Sequence, residues 1–421
     1  WTMKTKLSID GTKFLINGSL TYSEYPDCPE KYKGLLMNAR FIQGVFDDKM
    51  EPERFNRFGK KFEAGKNTED LCQALSQWYE KGLRAFTVGL QGGGPCYTVN
   101  SQTIDNNPFS PDGTSIESEY LDRLKKIILA ADEAGMIVIV SYFYGAQSRF
   151  LKDDLSVIRA VKTASNWLRD EKFTNVIIEI ANEHNVEENK LHPILFDGKG
   201  IAELIRIAQR ESGGLPVGCS TTGHYFSNDI GNASDVIIIH GNNMSRQMFY
   251  NHIQEAKAIK PARPIICNED SQALAEMQVA LDEGISWGYY NNMTKQEPPV
   301  DWSITEGEDT FFAARLADSL GIHKLDIPLE EQFYLQGLEK EMTYEGKRWI
   351  RLASVYPEKI QRVDFYRNGE YFARAYNDPF TINYIWNWYQ SATEGIQPRE
   401  TWKAVVTLVD GTVIEKTTTV E

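Results

Sequence analysis

From residue 39 to residue 292 the chain alternates between two hydrophobic patterns. One is short and continuous, rich in Val, Ile and aromatic residues, as expected of strands buried on both faces. It occurs eight times: "ARFIQGVFDD" (39–48), "LRAFTVGLQGG" (83–93), "MIVIVSYFYG" (136–145), "NVIIEIANE" (175–183), "LPVGCSTTG" (215–223), "DVIIIHGNN" (235–243), "RPIICNED" (263–270) and "GISWGYYNN" (284–292). The other repeats its apolar residues every three or four positions, as in "SEYLDRLKKIILAADEAG" and "DLSVIRAVKTASNWLRDE", and predicts amphipathic helices between nearly all of these strands. Only a short link, "YFSNDIGNAS", separates the fifth run from the sixth, and a last helix, "DTFFAARLADSLGI", follows the eighth.

Eight strands with helical crossovers predict an α/β fold, a (β/α)8 TIM barrel. A doubly wound sheet is the alternative, but no GxGxxG or GxxxxGK[ST] motif follows a strand. A hairpin, "LSIDGTKFLING", precedes the alternating region. From about residue 335 the period changes to two, with turns at "RNGE" and "VDGT", and "KRWIRLASVYP", "YIWNWY" and "WKAVVTLVDGTVIEKTTTV" read as strands. The expected division is a barrel over 1–330, hairpin included, and a smaller all-β sandwich over 335–421.

Charge and cysteine usage narrow the function. A net charge of −14 over 421 residues argues against nucleic acid and anionic membranes as partners. The five cysteines are odd in number and scattered, and none of the six histidines forms a His-x-His pair, so no disulfide framework, metal or cofactor is expected. No apolar run reaches 18 residues, and no transmembrane segment is expected. The chain begins at Trp1 rather than Met, which fits removal of a leader and a secreted, periplasmic or cell-surface location. Oligomeric state is left open.

The candidate chemistry sits at the ends of the strand runs, where barrels of this kind carry their active face. Asp47 and Asp48, Gln91, Tyr144, Asn182 with Glu183, His240, Asn242, Glu269, and Trp287 with Tyr289 occupy those ends. Glu183 ends the fourth run and Glu269 the seventh, so their carboxylates can face each other across the mouth. Strict alternation puts Glu183 on the face of Ala181 and Glu179, and Glu269 on that of Cys267 and Ile265. Two facing carboxylates suit glycoside hydrolysis, retaining at about 5–5.5 Å and inverting at about 6.5–9.5 Å. Glu179 lies inside an apolar run, where a carboxylate is costly unless paired. Arg40 and Arg84 are the candidate partners.

"EIANE", "PIICNE" and "ISWGYY", in register on the fourth, seventh and eighth runs, resemble clan-A retaining glycoside hydrolases of the cellulase/mannanase type. The resemblance covers roughly residues 10–325. It implies Glu183 as acid/base, Glu269 as nucleophile and Asn182 as donor to the sugar 2-hydroxyl, with His240 near the nucleophile and Trp287 as a stacking platform. The family usually has Pro where this chain has His184, so the acid/base loop departs from the pattern. The C-terminal tract "VDFYRNGEYFARAYNDPF" is similar in pattern to immunoglobulin-like modules of secreted carbohydrate enzymes.

A poly- or oligosaccharide is therefore the expected substrate. Tyr144, Tyr225, Trp287 and Tyr289 could stack on sugar faces or simply pack, and Asp47 could bind hydroxyls or be solvated. Among readings of other classes, a non-catalytic carbohydrate-binding or adhesion protein would have been favoured by a missing glutamate, and both are present. A metal-dependent hydrolase would need clustered His and Asp at strand ends. The pair should also have unlike proton affinities, with His240 and Asn268 holding Glu269 ionised.

Overall fold

The computed structural model describes residues 1–384 and 391–421. It opens with three short antiparallel strands, β1 (Leu7–Asp10), β2 (Lys13–Ile16) and β3 (Ser19–Leu20). The alternating region then supplies β4 (Asn38–Arg40), α1 (Ala64–Glu80), β5 (Ala85–Gly89), α2 (Ser118–Ala134), β6 (Ile137–Tyr144), α3 (Asp154–Asp170) and β7 (Val176–Asn182). It continues with α4 (Pro193–Phe196), α5 (Gly198–Glu211), β8 (Val217–Gly218), α6 (Asn228–Ala233), β9 (Ile237–His240), α7 (Arg246–Lys257), β10 (Ile265–Glu269), α8 (Leu274–Glu283), β11 (Gly288–Tyr289), α9 (Asn292–Lys295) and α10 (Glu308–Ser319).

Six of these strands form a parallel sheet in the order β11-β4-β5-β6-β7-β8, and β9 and β10 form a parallel pair. Backbone hydrogen bonds connect the pair to both edges of the larger sheet. Asp235 N–H donates to the Val217 carbonyl at 2.9 Å on one side. On the other, Cys267 N–H donates to Ser286 at 2.9 Å and Asp270 N–H to Gly288 at 3.0 Å. Several strands are shorter than their apolar runs: the first run is extended only over Asn38–Arg40 and then turns.

The strands have two apolar faces, which is why their runs read as continuous. One face, with Leu36, Ala85, Ile137, Ile139, Ile177, Val236, Ile238 and Ile266, packs against Leu7 and Phe14 of the opening hairpin. We call it the inner face. The other, with Phe86, Val88, Val138, Val140, Val176, Ile178, Ile237, Ile239, Ile265, Cys267 and Trp287, packs under the helices. Helix boundaries follow local chemistry. Asp153, Asp197 and Ser245 cap α3, α5 and α7 through their side chains, and Gly135 ends α2 at a φ of 83° that other residues rarely adopt.

The C-terminal region is all-β among the described residues apart from 3-10 turns. It comprises β12 (Phe333–Gln336), β13 (Lys347–Arg348), β14 (Arg351–Ser354), β15 (Ile360–Arg367), β16 (Glu370–Ala375), β17 (Thr393–Glu394), β18 (Thr401–Leu408) and β19 (Val413–Thr419). Its strands pair antiparallel, the largest sheet running β16-β15-β18-β19, around a core of its own that includes Leu352, Val363, Phe365, Trp402 and Val406. Apart from Tyr384, the "YIWNWY" tract lies outside the described residues. Ion pairs fasten this region to α10: buried Glu308 with buried Arg351 at 3.0 Å, and buried Arg315 with half-buried Glu358 at 2.8 Å.

Candidate active site

The polar layer begins one step above the apolar inner face. Glu179, fully buried on β7, accepts a hydrogen bond from Asn268 at 3.2 Å, and the same Asn268 amide donates to Thr87 on β5 at 3.3 Å. Asn268 thus supports Glu179 and does not bond Glu269 as expected. Arg84 is elsewhere, over the Tyr79 ring at 3.7 Å and bonded to Tyr25. Arg40 is the arginine that belongs to this layer. Its Nε lies 2.9 Å from a Glu269 oxygen, and its Nη2 donates to Asn182 at 3.0 Å.

Local backbone geometry brings the two glutamates inward. β10 carries a bulge, because Cys267 pairs with Ile239 and Glu269 with His240, leaving Asn268 as the extra residue. Simple alternation from Cys267, which packs under the helices, would have sent Glu269 outward. The bulge turns both Asn268 and Glu269 to the inner face, so Glu269 shares no face with Cys267 and Ile265. Glu183 lies just past β7 with φ 45°, in the left-handed region, and its N–H donates to Ser220 Oγ at 2.9 Å. That turn lets consecutive residues, Asn182 and Glu183, face the site together.

The loop after Glu183 is held without proline. His184 is buried and its Nδ1 donates to the Leu195 carbonyl of α4 at 2.9 Å, while burial lowers its proton affinity. Asn185 exchanges hydrogen bonds with Thr222 at 2.8 and 2.9 Å.

His240 stands between the carboxylates. Its Nδ1 donates to Glu183 at 3.1 Å and lies 3.5 Å from Glu269. Burial disfavours its charged form, but the charge of Glu269 and the hydrogen bond and charge of Glu183 outweigh this and raise its pKa to about 9. Asn242, just beyond β9, donates to Glu269 at 2.7 Å. The site therefore gathers three carboxylates (Glu179, Glu183, Glu269) around two cations (Arg40, His240). One oxygen of Glu183, Nδ1 of His240 and one oxygen of Glu269 lie within 4.8 Å of one another. Those three donors could hold a divalent cation, although Arg40 already neutralises Glu269 and His240 would have to give up its proton.

The remaining sequence candidates divide. Tyr144 is half-buried beside the site, its hydroxyl 3.6 Å from Cys96 Sγ and its ring among Arg40 and Tyr290. Gln91 braces this wall, accepting from Tyr144 N–H and donating to Asn107, both at 2.8 Å. Asp47 lies beyond the early end of β4, near Arg123 and Glu119 of α2 and away from the carboxylate pair, and burial raises its pKa. Asp48 is taken up by Arg54 at 2.7 Å. Tyr225 is exposed, 6.3 Å from the His184 ring.

Trp287 and Tyr289 are not at the cleft. Trp287 is fully buried under α10 and donates its indole N–H to Asp270 at 2.8 Å. Tyr289 stacks on Phe312 at 4.2 Å and donates to Asp309 at 2.7 Å. The residues of opposite parity face inward: Ser286, Gly288 and Tyr290. The Tyr290 ring meets the Arg40 guanidinium at 5.4 Å. The period-two rule could have found Tyr290 had the register been set by Gly288 rather than by Trp287. Gly288 is needed because a Cβ there would lie 2.5 Å from Asn38 Oδ1 and 2.6 Å from the Cys267 carbonyl.

Behind the site, Asp270 accepts from Trp287 and Ser271, and burial lifts its pKa to about 6. Buried Glu276 of α8, pushed up by burial and by Asp270, donates to it as the protonated acid.

No protein-family model matches the chain, and no curated protein matches it. Solved structures similar to it include a "putative glycoside hydrolase" from Bacteroides vulgatus ATCC 8482, with a TM-score of 0.51 at 11% identity over 98% of this chain and 75% of that one. A glycoside hydrolase family 5 protein from the same organism aligns at a TM-score of 0.49 and 10% identity over 95% of this chain and 92% of that one. Parabacteroides merdae β-glucuronidase aligns at a TM-score of 0.44 and 11% identity over 98% of this chain, which spans 50% of its length. At these identities the first likeness is one of fold, an α/β protein with a parallel sheet, and the other two add nothing to it.

Proposed function

We propose that the chain is a glycoside hydrolase that cleaves O-glycosidic bonds in a poly- or oligosaccharide by a retaining, two-glutamate mechanism. The observation that carries this reading is the Glu183–His240–Glu269 constellation, with a carboxylate oxygen from each glutamate within 4.8 Å of the other. That closeness fits the retaining class, whose carboxyl groups lie about 5–5.5 Å apart, better than the inverting class, which needs room for water. The supporting frame is a closed (β/α)8 barrel, favoured by the backbone bonds from Asp235 and Cys267 that tie the β9–β10 pair to both sheet edges. The fold likeness to the Bacteroides vulgatus protein favours the same reading. The region over 335–421 acts in this view as an immunoglobulin-like accessory module.

Glu269 is the nucleophile. Arg40 and Asn242 bond its oxygens and hold the carboxylate in place to attack the anomeric carbon. Glu183 takes the Nδ1 proton of His240, which reaches it at 3.1 Å, gives it to the departing oxygen, and then takes one from the attacking water and returns it to His240. His240 touches both and can follow the charge as it moves between them. Asn182, held by Arg40, is placed to bond the 2-hydroxyl.

Turnover of a panel of aryl glycosides by wild type, Glu269→Gln and Glu183→Ala tests this. Glu269→Gln should lose activity by several orders of magnitude. Glu183→Ala should keep substrates with activated leaving groups and lose the others. Unchanged turnover in Glu269→Gln removes the assignment. A second reading, metal-assisted hydrolysis, draws on the same three donors, and loss of wild-type activity on treatment with EDTA would favour it over the retaining mechanism.

A further inference from the structure

A cavity of about 410 Å³ opens where the C-terminal region meets the loops after β9 and β10. That volume lies within the range of small-ligand sites. Both barrel-side walls start close to the candidate nucleophile. Asn243 follows Asn242, which donates to Glu269, and Ser271 lies two residues beyond Glu269. The opposite wall is formed by Tyr376, Asn377, Asp378 and Tyr384 of the C-terminal region. Tyr384 donates to the Asn243 side chain at 3.1 Å, so the two regions meet at the cavity itself. Tyr376 is 61% exposed and Tyr384 36%, which leaves both rings available. At the back, Glu276 is 4% exposed and its Oε2 has no hydrogen-bond partner among the described residues.

Aromatic rings that can cover apolar sugar faces, beside amide, hydroxyl and carboxyl groups, make up a sugar-binding surface. Its acids carry little free charge, since burial pushes Glu276 and Asp378 toward the neutral form and Glu358 is paired with Arg315, so the lining suits an uncharged ligand. We propose that this cavity is an additional subsite, built jointly with the C-terminal region, that binds a neutral sugar unit of an oligosaccharide whose scissile bond lies between Glu183 and Glu269. The inference rests on the glycosidase reading above. It makes the C-terminal region part of the substrate site rather than a spacer.

The test compares kcat/KM for a cleaved aryl glycoside with that for oligosaccharides of the same sugar, from two to six units. Wild type should gain about tenfold with chain length. Tyr384→Ala, which removes a ring, and Asn377→Trp, which fills the cavity, should each lower the ratio of long-chain to aryl-glycoside kcat/KM about tenfold. An oligosaccharide ending in a uronic acid should show no gain. Glycoside turnover with the length-dependent gain intact in both variants overturns the subsite and leaves the glycosidase reading standing. An equal gain with the uronate-ended chain overturns the neutral-sugar assignment. Failure of wild type to cleave any glycoside removes the reading itself and the subsite with it.

Discussion

Replacing His240 by Gln removes the one titrating cation between the two candidate catalytic carboxylates. In the folded protein His240 holds its proton up to about pH 9, against 6.5 for an unperturbed ring. At about 1.4 kcal/mol for each tenfold change in proton affinity, that rise corresponds to roughly 3 kcal/mol of stability, as an order of magnitude for a group in a coupled cluster. Because the folded pKa lies above the unfolded one, the contribution is complete below about pH 6.5. It fades as pH rises through 9. The direct assay is NMR of protein labelled with ¹³C at the histidine Cε1. One of six signals should titrate near pH 9 and vanish in His240→Gln. Buried His252, pushed by burial down to about 4, should titrate at the other extreme and serve as an internal control. Urea unfolding from pH 6 to 10 should show the gap between wild type and variant narrowing with rising pH. If the signal lost in the variant titrates at 6.5 or below, the electrostatic account of the site is wrong.

Trp287→Phe should lower stability by about 1–3 kcal/mol, because buried Asp270 loses the indole donor at 2.8 Å, and should leave KM unchanged; a KM increase without a stability loss would restore the stacking role. Gly288→Ala should cost about 1–3 kcal/mol in thermal unfolding, since the new methyl meets Asn38 and the Cys267 carbonyl at 2.5 and 2.6 Å; an unchanged Tm would show that the inner face can yield. Glu308→Gln should cost about 3–5 kcal/mol by removing the carboxylate paired with buried Arg351, and Glu308→Leu combined with Arg351→Met should cost less. Denaturant unfolding of both variants measures the difference.

Much of this was legible in the chain. Helices α2 and α3 fall within a residue of the bounds their periodicity predicts, because strong 3.6-residue patterns end at glycine or charged turns. The two glutamates could be picked out because each ends an apolar run. Their orientation was not legible. An apolar run has no polar face to set its register, so hydrophobicity alone does not tell whether Trp287 or its neighbour Ser286 turns to the inner face, and it is Ser286 that does. Asp47 was misplaced for a related reason: "ARFIQGVFDD" is apolar well past Arg40, where the strand ends, and apolarity alone does not tell a buried turn from a strand. The inward direction of Glu269 depends on a bulge that hydrophobicity does not report.

That bulge separates two jobs that an ordinary strand would force onto alternate residues. With consecutive side chains directed inward, Asn268 serves the foundation beneath the pair and Glu269 joins the candidate catalytic pair. An evolving or engineered descendant can therefore change residue 269 while the support under Glu179 stays in place. Deleting Asn268 would do the opposite, drawing Glu269 down into the foundation layer beside Glu179. The strand tolerates substitution at its tip and is intolerant of changes in its length.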